Sequence, residues 1–412
     1  MTAAVLSIGT ELTRGELTNT NASWLAEQLT ELGCTVAEQV TVSDDLEAIQ
    51  EALTRMTTRH RVLVCTGGLG PTTDDLTAQA VAGAAGVDLV RDEPSLEAIR
   101  RRYAAAGREM SETNAKQADF PQGAEVLPNP VGTAPGFSIT LGECACFFLP
   151  GVPHEMQRIF ADRVQPTVAP TVERDTYQQR LRTFGLPEST VGERLAGLEE
   201  ELPGLTIGYR ATFPEIEVKL CARAAKIGDA TQTVTKAAEE VRRRLGDAVY
   251  GRDDDTYPAY VGHLLRDRGL TVALAESCTG GMVSSLITDV PGSSDYLLMS
   301  AVTYSNASKS KVLGVSAEIL RAYGAVSAES AAAMADGARR LSDADLAVSI
   351  TGIAGPGGGT EEKPVGTVWL GVARRGREAD VEKHQLSGDR WRVRRLSAFL
   401  ALRALARAAT EH

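Results

Sequence analysis

The sequence predicts an α/β protein built in three parts, and three observations carry that expectation. Short apolar runs alternate with stretches of helical period at the start of the chain, which implies a parallel sheet with helices on both faces. Three apolar runs, Arg61–Cys65, Leu270–Ala275 and the one from Ala347, pass directly into glycine-rich loops. Between the two ends, residues 176–250 read β-α-β-β-α, the pattern of a small α+β unit. The parts so defined are 1–170, 176–250 and 256–412.

Ala3–Ile8 is the first strand, ending at Gly9-Thr10-Glu11. Asn19-Thr20-Asn21 then opens a helix with Trp24, Leu25, Leu29 and Leu32 on one face. Val36–Val42 is the second strand; Leu46, Ile49, Leu53 and Met56 mark the next amphipathic helix. The third strand runs into Thr66-Gly67-Gly68-Leu69-Gly70-Pro71-Thr72-Thr73-Asp74-Asp75, before a helix near Leu76. Ligands of such sheets gather at the carboxyl ends of the strands, where both loops fall. Glycine N–H groups suit phosphate, and the carboxylates of Asp74 and Asp75 suit a hard divalent cation held through oxygen. The same two residues equally suit N-capping of the next helix. His154 and Glu155 open a further helix after Pro153, where Glu155 suits the dipole and His154 faces solvent.

Ala161–Asp175 contains Pro166 and Pro170 and no long apolar period, so it reads as a linker. The middle part has strands at Tyr177–Phe184, Leu205–Tyr209 and Glu215–Ala222, with helices near Thr190–Leu198 and Ala230–Leu245. It lacks a GxxG loop, the clamp that a KH unit closes on a nucleic-acid backbone. Arg242, Arg243 and Arg244 follow Glu239 and Glu240 and read as a solvated helical face. Gly251–Asp255 reads as the second linker.

In the last part, Ser277 falls on a strand-to-helix turn, Ala275-Glu276-Ser277-Cys278-Thr279-Gly280-Gly281, before a helix from Met282 to Val290. Backbone N–H groups at such a turn favour an oxyanion or phosphate, and two glycines let a ligand come close. A serine attacks a carboxamide only if something takes its proton, and none of the five histidines lies within ten residues of it. Lys309, in the stretch Val302–Lys309, is the candidate base, since burial lowers a lysine pKa toward a usable neutral amine. Tyr304 is a candidate to relay a proton or protonate the departing ammonia. Cys278 is a rival nucleophile, because a thiol at a helix N-terminus is activated there. Arg390, opening the final arginine-rich helix after Leu386-Ser387-Gly388-Asp389, is a candidate phosphate partner.

Composition bounds the partners. A formal charge of −11 argues against a nucleic acid held by a broad basic surface, while a small anionic substrate needs only a local pocket. Six cysteines without CxxC spacing read as reduced, buried thiols rather than a disulfide frame or zinc site. No basic leader with a long apolar core and no membrane-length apolar run is present, so the expected location is the cytoplasm.

AESCTGG, VTYSNASK, SITGIAGPGGG, EEKPVGTVWLGV and LSGDR, in that order over about the last 155 residues, resemble the deamidase domain of the CinA (competence/damage-inducible) family. That domain is also found alone as the PncC-type nicotinamide mononucleotide amidase. IGTEL followed by NTN, GGLGPTTDD, the run Asn114–Ala118, NPVGTAPG and LPGVPHEM resemble the N-terminal domain of the same family, which is similar to molybdopterin-binding folds. The middle part resembles the family's KH-like domain.

The resemblance implies a C-terminal α/β deamidase domain hydrolysing nicotinamide mononucleotide to nicotinate mononucleotide and ammonia. It implies Ser277 as nucleophile, Lys309 as base and Tyr304 as support. Cys278, Thr279, Gly280, Gly281, Asn306, Thr351, Gly352, Gly355 and Arg390 surround the substrate, and no cofactor is required. For the N-terminal doubly wound domain it implies a metal-dependent ADP-ribose pyrophosphatase yielding AMP and ribose 5-phosphate. There Gly67, Gly68, Gly70 and Thr72 hold phosphates, and Asp74 and Asp75 serve a divalent ion (magnesium, manganese or cobalt). Lys116, Gly132, Thr133 and Pro135 line the site, with Gly9, Glu11, Asn19 and Asn21 as further contacts. Thr13-Arg14-Gly15 follows Glu11-Leu12 where family members often carry an apolar residue, which puts a charge beside the first loop. Both substrates are pieces of NAD, so the implied role is pyridine nucleotide recycling by a homodimer with no nucleic-acid or membrane partner. The alternative is a nucleotide- or molybdopterin-binding sensor or scaffold linked to competence, silent catalytically in its N-terminal domain.

Overall fold

The computed structural model describes residues 1–171, 175–224 and 228–411. They form two compact units, one built on Met1–Gln178 and the other carrying the C-terminal residues from Ala237.

In the first unit, strands β1 (Thr2–Ile8), β2 (Thr35–Val42), β3 (Val62–Thr66), β4 (Leu89–Arg91), β5 (Asp119–Pro121), β6 (Glu125–Leu127), β7 (Gly136–Leu141) and β8 (Cys144–Leu149) follow in sequence. The main sheet has the order β2-β1-β3-β8-β7-β6, and β4 and β5 pair apart from it. β1, β2, β3 and β8 are mutually parallel, as the alternation predicts. β7 and β6 are antiparallel, a departure from the all-parallel expectation. The reason is local: only Gly142 and Glu143 separate β7 from β8, and a connection that short joins antiparallel strands alone.

Both faces of this sheet are covered, and the strand period shows how. Ala4, Leu6 and Ile8 join one core with Leu63, Cys65, Ile49, Leu53 and Met56. Ala3 and Val5 join the other with Val62, Val64, Leu25 and Leu29. Successive residues of β1 thus serve opposite cores, which requires helices on both sides.

The stretch read as the first linker is helical up to Thr171. Pro153–Ile159 continues through a widened turn at Phe160–Val164 into Gln165–Val168 and Ala169–Thr171, while residues 172–174 of that linker lie outside the described residues. Phe160, Val164 and Val168 are buried at a spacing of four, a helical stripe that the two prolines obscure. Pro166 lies well inside this continuous helix, where it has no N–H to give the ladder, and the turn before it takes the wider π geometry.

The middle sheet runs β10-β11-β9-β12, from β9 (Asp175–Phe184), β10 (Leu205–Thr212), β11 (Glu215–Ala224) and β12 (Val249–Arg252). β12 absorbs Gly251 and Arg252 of the expected second linker. Arg243 pairs with Glu240, and Arg244 reaches Glu240, Glu201 and the Ala196 carbonyl. Arg244 is therefore an anchor between elements, not part of a solvated face.

The C-terminal sheet has the order β14-β13-β15-β16-β17, built from β13 (Val272–Glu276), β14 (Leu297–Val302), β15 (Leu346–Gly352), β16 (Thr367–Arg374) and β17 (Asp380–Gln385). β14, β13 and β15 are parallel, and β16 and β17 return antiparallel. Val272, Leu274, Val348, Ile350 and Leu370 fill one core against the final helix. Each such side chain contributes roughly 1.5–3 kcal/mol by leaving water. The other face is almost all alanine: Ala273, Ala275, Ala347 and Ala373. Small side chains let the helix Ala328–Ser342 lie close, as Gly371 shows, whose missing Cβ would stand 2.5 Å from the Ala331 carbonyl oxygen. No helix among the described residues is long and apolar enough to cross a membrane.

Candidate functional site

Three parallel strands deliver three loops to one place. Ser277 follows β13, and its N–H donates to the Ile350 carbonyl of β15 at 3.0 Å. Thr303 follows β14, and its N–H donates to the Glu276 carbonyl at 2.8 Å. Ser305 then caps the helix Asn306–Leu313 in a reciprocal box with Ser308, and this turns Lys309 inward. Lys309 Nζ lies 3.0 Å from Ser277 Oγ and donates to the Thr303 carbonyl at 2.8 Å. The lysine is 1% exposed and the serine 8%. Burial lowers the Lys309 pKa, against a smaller opposing pull from the Cys278 sulfur. An amine that gives up its proton readily, within hydrogen-bond reach of an alcohol, is the arrangement a serine nucleophile needs.

Two expectations for the turn are cut back. Three N–H groups at the start of the helix Met282–Thr288 are not open to an anion, because the fully buried Glu276 carboxylate accepts from Gly281 N (2.9 Å), Val283 N (3.2 Å) and Ser284 N (2.8 Å). Sequence reasoning gave Glu276 no role; the available signal was a carboxylate placed directly after the apolar run Val272–Ala275. Cys278 is not activated: burial pushes its thiol up to about 11, the reverse of what a thiolate nucleophile requires.

The remaining motif residues divide by what they touch. Arg390 opens the helix Arg390–Thr410, donating from Nη1 to the Gly355 carbonyl at 2.8 Å and from Nη2 to the Tyr304 hydroxyl at 3.0 Å. It thereby draws together the second, third and last motifs. Tyr304 is 61% exposed, and Asn306 is also exposed. Thr351 spends its hydroxyl on the Ala325 carbonyl at 2.7 Å, and Gly352 ends β15 with no space for a side chain, a Cβ there meeting the Thr367 oxygen at 2.8 Å. Gly280 and Gly281 have φ of +61° and +93°, and Arg394, which the sequence reading missed, holds the Thr279 carbonyl at 2.7 Å. The hydroxyls of Thr279 and Thr303 are buried and find no hydrogen-bond partner among the described residues.

In the first unit the loops after β1, β2, β3 and β8 enclose a cleft of about 610 Å³. Gly9, Glu11, Asn19, Asn21, Gly67, Gly68, Gly70, Asp74, Asp75 and Thr133 line it, together with Asp44 and Glu155, which sequence reasoning did not assign to it. Lys116 and Pro135 line an adjoining slot, Gly132 a third hollow with Thr133 and Pro135, and Thr72 none of these. Gly67 has φ of +104°, and a Cβ on it would stand 2.0 Å from the Ile8 oxygen. The loop needs that glycine to pass β1, whatever it binds. Asn21 donates to the Gly151 carbonyl at 2.7 Å, tying two rims together, and Asn19 caps the helix Thr20–Glu31. His154 is exposed, as expected, whereas Glu155 turns inward to accept from Asn129 at 2.6 Å.

Neither aspartate caps the next helix, whose N-cap position is Leu76 without a side-chain bond. Asp75 instead accepts from Thr72 N at 2.8 Å and Thr72 Oγ1 at 2.6 Å, closing the loop on itself. Asp74 is exposed, and the Thr72 hydroxyl, for whose one proton it competes with Asp75, with a lesser contribution from Lys116, holds its carboxyl below the usual range. Among the described residues no three acidic, histidine or cysteine side chains gather as a metal cage. Two neighbouring carboxylates beside a phosphate-sized loop nevertheless fit a hard cation of the magnesium type, which takes one or two protein oxygens and completes its shell from water and substrate phosphates.

Family models match the chain in three consecutive stretches. They are a probable molybdopterin binding domain over residues 4–170, the damage-inducible protein CinA KH domain over 178–251 and the CinA C-terminal domain over 254–409. A CinA-like protein of Geobacter sulfurreducens is 44% identical over 407 residues, covering 98% of each chain. Another, of Geobacter metallireducens, is 43% identical over 417 residues and covers 100% of each. Among solved structures, the protein CinA with unknown function from Thermoplasma acidophilum is 34% identical, with 40% of this chain and 97% of that chain covered and a TM-score of 0.39. The architecture is thus three α/β domains: molybdopterin-binding-like, KH-like and CinA C-terminal. With relatives this similar along its whole length, the chain belongs to the CinA-like protein family.

Proposed function

We propose that the C-terminal domain is a serine amidase that converts nicotinamide mononucleotide to nicotinate mononucleotide and ammonia. The observation that carries this reading is the 3.0 Å approach of a buried, pKa-lowered Lys309 amine to Ser277 Oγ. In the neutral state the amine takes the Ser277 proton as the oxygen attacks the carboxamide carbon. The tetrahedral adduct collapses to a serine ester as the C–N bond breaks, and the nitrogen leaves as ammonia with the proton Lys309 returns. Water, deprotonated by the same amine, then releases the carboxylate and restores Ser277. Arg390 suits the substrate phosphate, and Tyr304 beside it suits the ribose or ring rather than the departing nitrogen. The test is ammonia release from nicotinamide mononucleotide: Ser277→Ala and Lys309→Met should each lose at least about a thousandfold, and Cys278→Ala should retain turnover. Full activity in Ser277→Ala sinks the mechanism.

For the N-terminal domain the reading is hydrolysis of ADP-ribose to AMP and ribose 5-phosphate, supported by the cleft at the strand ends with its glycine loop and paired aspartates. Asp74 and Asp75 would hold the metal ion, which when bound would supply charge neutralisation at the pyrophosphate. The loop glycines bring the substrate against the backbone, and Lys116, which donates to the Thr72 carbonyl at 2.7 Å, holds the loop in place. A second reading, nucleotide sensing without turnover, is favoured by the lack of a three-ligand cage among the described residues. Binding of ADP-ribose without AMP formation, with metal present, would select it.

A further inference from the structure

The helix Arg390–Thr410 enters the core of the C-terminal domain at Val393, which is buried, whereas Arg390, Trp391 and Arg392 of its first turn are exposed. One support for that turn is its own cap, the Asp389 side chain accepting from the Arg392 N–H at 2.8 Å. A second comes from the middle domain. Phe213, at the turn that joins β10 to β11, sets its ring 5.8 Å from the Trp391 ring and 4.2 Å from the guanidinium carbon of Arg392. Farther along the same helix, Phe184 of β9 meets Phe399 with 5.3 Å between ring centres. All of these residues belong to one compact unit. The middle domain thus holds the helix at two points. The outer point lies next to Arg390, whose guanidinium joins the Gly355 carbonyl to the Tyr304 hydroxyl.

We propose that Phe213 is a positioning residue for the amidase site, its ring fixing the first turn of the last helix so that Arg390 is aimed at the substrate phosphate. The inference rests on reading the C-terminal domain as an amidase of nicotinamide mononucleotide. An arginine holds a phosphate well when its planar fork is aimed beforehand, because a loose side chain gives up rotamer freedom on binding. Phe213 supplies that aim through a cation–π contact with Arg392 and a ring contact with Trp391. Ser277 and Lys309 are carried by the segments that follow β13 and β14, and from Val393 inward the helix is held by the core. Phe213 therefore acts on how tightly the substrate is held, and the cutting of the carboxamide is left to groups it does not support.

The experiment compares wild type with Phe213→Ala, Phe213→Tyr, Arg390→Ala and the double variant Phe213→Ala/Arg390→Ala. It measures ammonia release from nicotinamide mononucleotide, calorimetric binding of nicotinate mononucleotide, and melting temperature. Phe213→Ala should raise KM and weaken binding about tenfold with kcat within about twofold, the scale of one ring pair and one cation–π contact together. Phe213→Tyr keeps the ring and should stay within about twofold of wild type. On the Arg390→Ala background, Phe213→Ala should change neither KM nor binding further, since the residue it acts through is gone. A merely structural role would lower melting without that dependence on Arg390. Unchanged KM and binding in Phe213→Ala overturn the inference, and so does an equal loss on the Arg390→Ala background. Should Phe213→Ala fail to fold, Phe213→Leu, which keeps apolar bulk without the π face, is read by the same criteria with a loss of about threefold. A wild type that binds nicotinate mononucleotide yet releases no ammonia overturns the amidase reading alone. The binding arm then decides: Arg390-dependent weakening in Phe213→Ala supports the inference, and its absence overturns it. A wild type that neither releases ammonia nor binds nicotinate mononucleotide overturns both.

Discussion

Lys309 shows how one side chain's environment sets the chemistry. Desolvation lowers its pKa from the ordinary 10.5, so a larger share of the amine is neutral at any given pH. Ammonia release should therefore rise with pH through the lowered pKa and level off above it, reporting a group more acidic than a free lysine. A pH–kcat profile of the wild type checks this, and a profile flat up to pH 10.5 removes Lys309 as the base. The linkage has a definite sign. The unfolded chain binds more protons at this residue between the folded pKa and 10.5, so stability from this residue rises as pH climbs through that window. Below the folded pKa the cost of burying the charged amine is fully present. Lys309→Met removes that cost, and it should melt no lower than wild type at neutral pH while losing turnover. The serine and lysine pairing was legible in the sequence because both residue types are unusual where they stand. Glu276 was not, since its partners lie five, seven and eight residues ahead and only the folded turn brings their N–H groups around one carboxylate.

At the scale of elements, the alanine face of the C-terminal sheet decides how the site is held. The helix Ala328–Ser342 packs on Ala273, Ala275 and Ala347 and also meets the end of the helix that carries Lys309. Gly337 is the contact: a Cβ there would stand 2.0 Å from the Leu313 carbonyl oxygen, and backbone cannot swing aside as a side chain can. Gly337→Ala should cost about 1–3 kcal/mol, measured by denaturant unfolding. Gly192→Ala, at a helical position with nothing within 4 Å, should stabilise by roughly 0.5–1 kcal/mol in the same assay. Equal effects at the two positions would mean the close approach carries no energy. Strand positions were readable from period two and apolar content, and helices from their stripes. Strand direction was not readable where a two-residue turn replaced a helix, as at Gly142-Glu143. Prolines masked the helical stripe of Phe160, Val164 and Val168, because a proline in mid-helix ordinarily ends it and the π turn through which this one continues shows only in the fold.

On the scale of the whole molecule, a chain with a net charge of −11 is proposed to act on two anionic substrates, so attraction has to be local. Arg390 and Arg394 supply it at the serine site, and Lys116 at the glycine loop. Ser277 and Asp74 lie in different compact units, and only one of the two proposed reactions asks for a metal ion. Chelation should thus separate them on the intact chain. AMP formation from ADP-ribose should fall to background with a chelator and return with magnesium, manganese or cobalt, while ammonia release stays unchanged. Because Asp74 and Asp75 are adjacent and no cage gathers among the described residues, the ion's shell has to be completed by water and pyrophosphate oxygens, and metal should bind more tightly as ADP-ribose rises. Asp74→Asn is the sharper probe, since Asp75 also closes the loop through Thr72 whereas Asp74 faces solvent. It should lower AMP formation about a hundredfold without altering ammonia release. Metal affinity independent of ADP-ribose would place the ion elsewhere, and parallel loss of both reactions would mean that the two domains share one catalytic requirement.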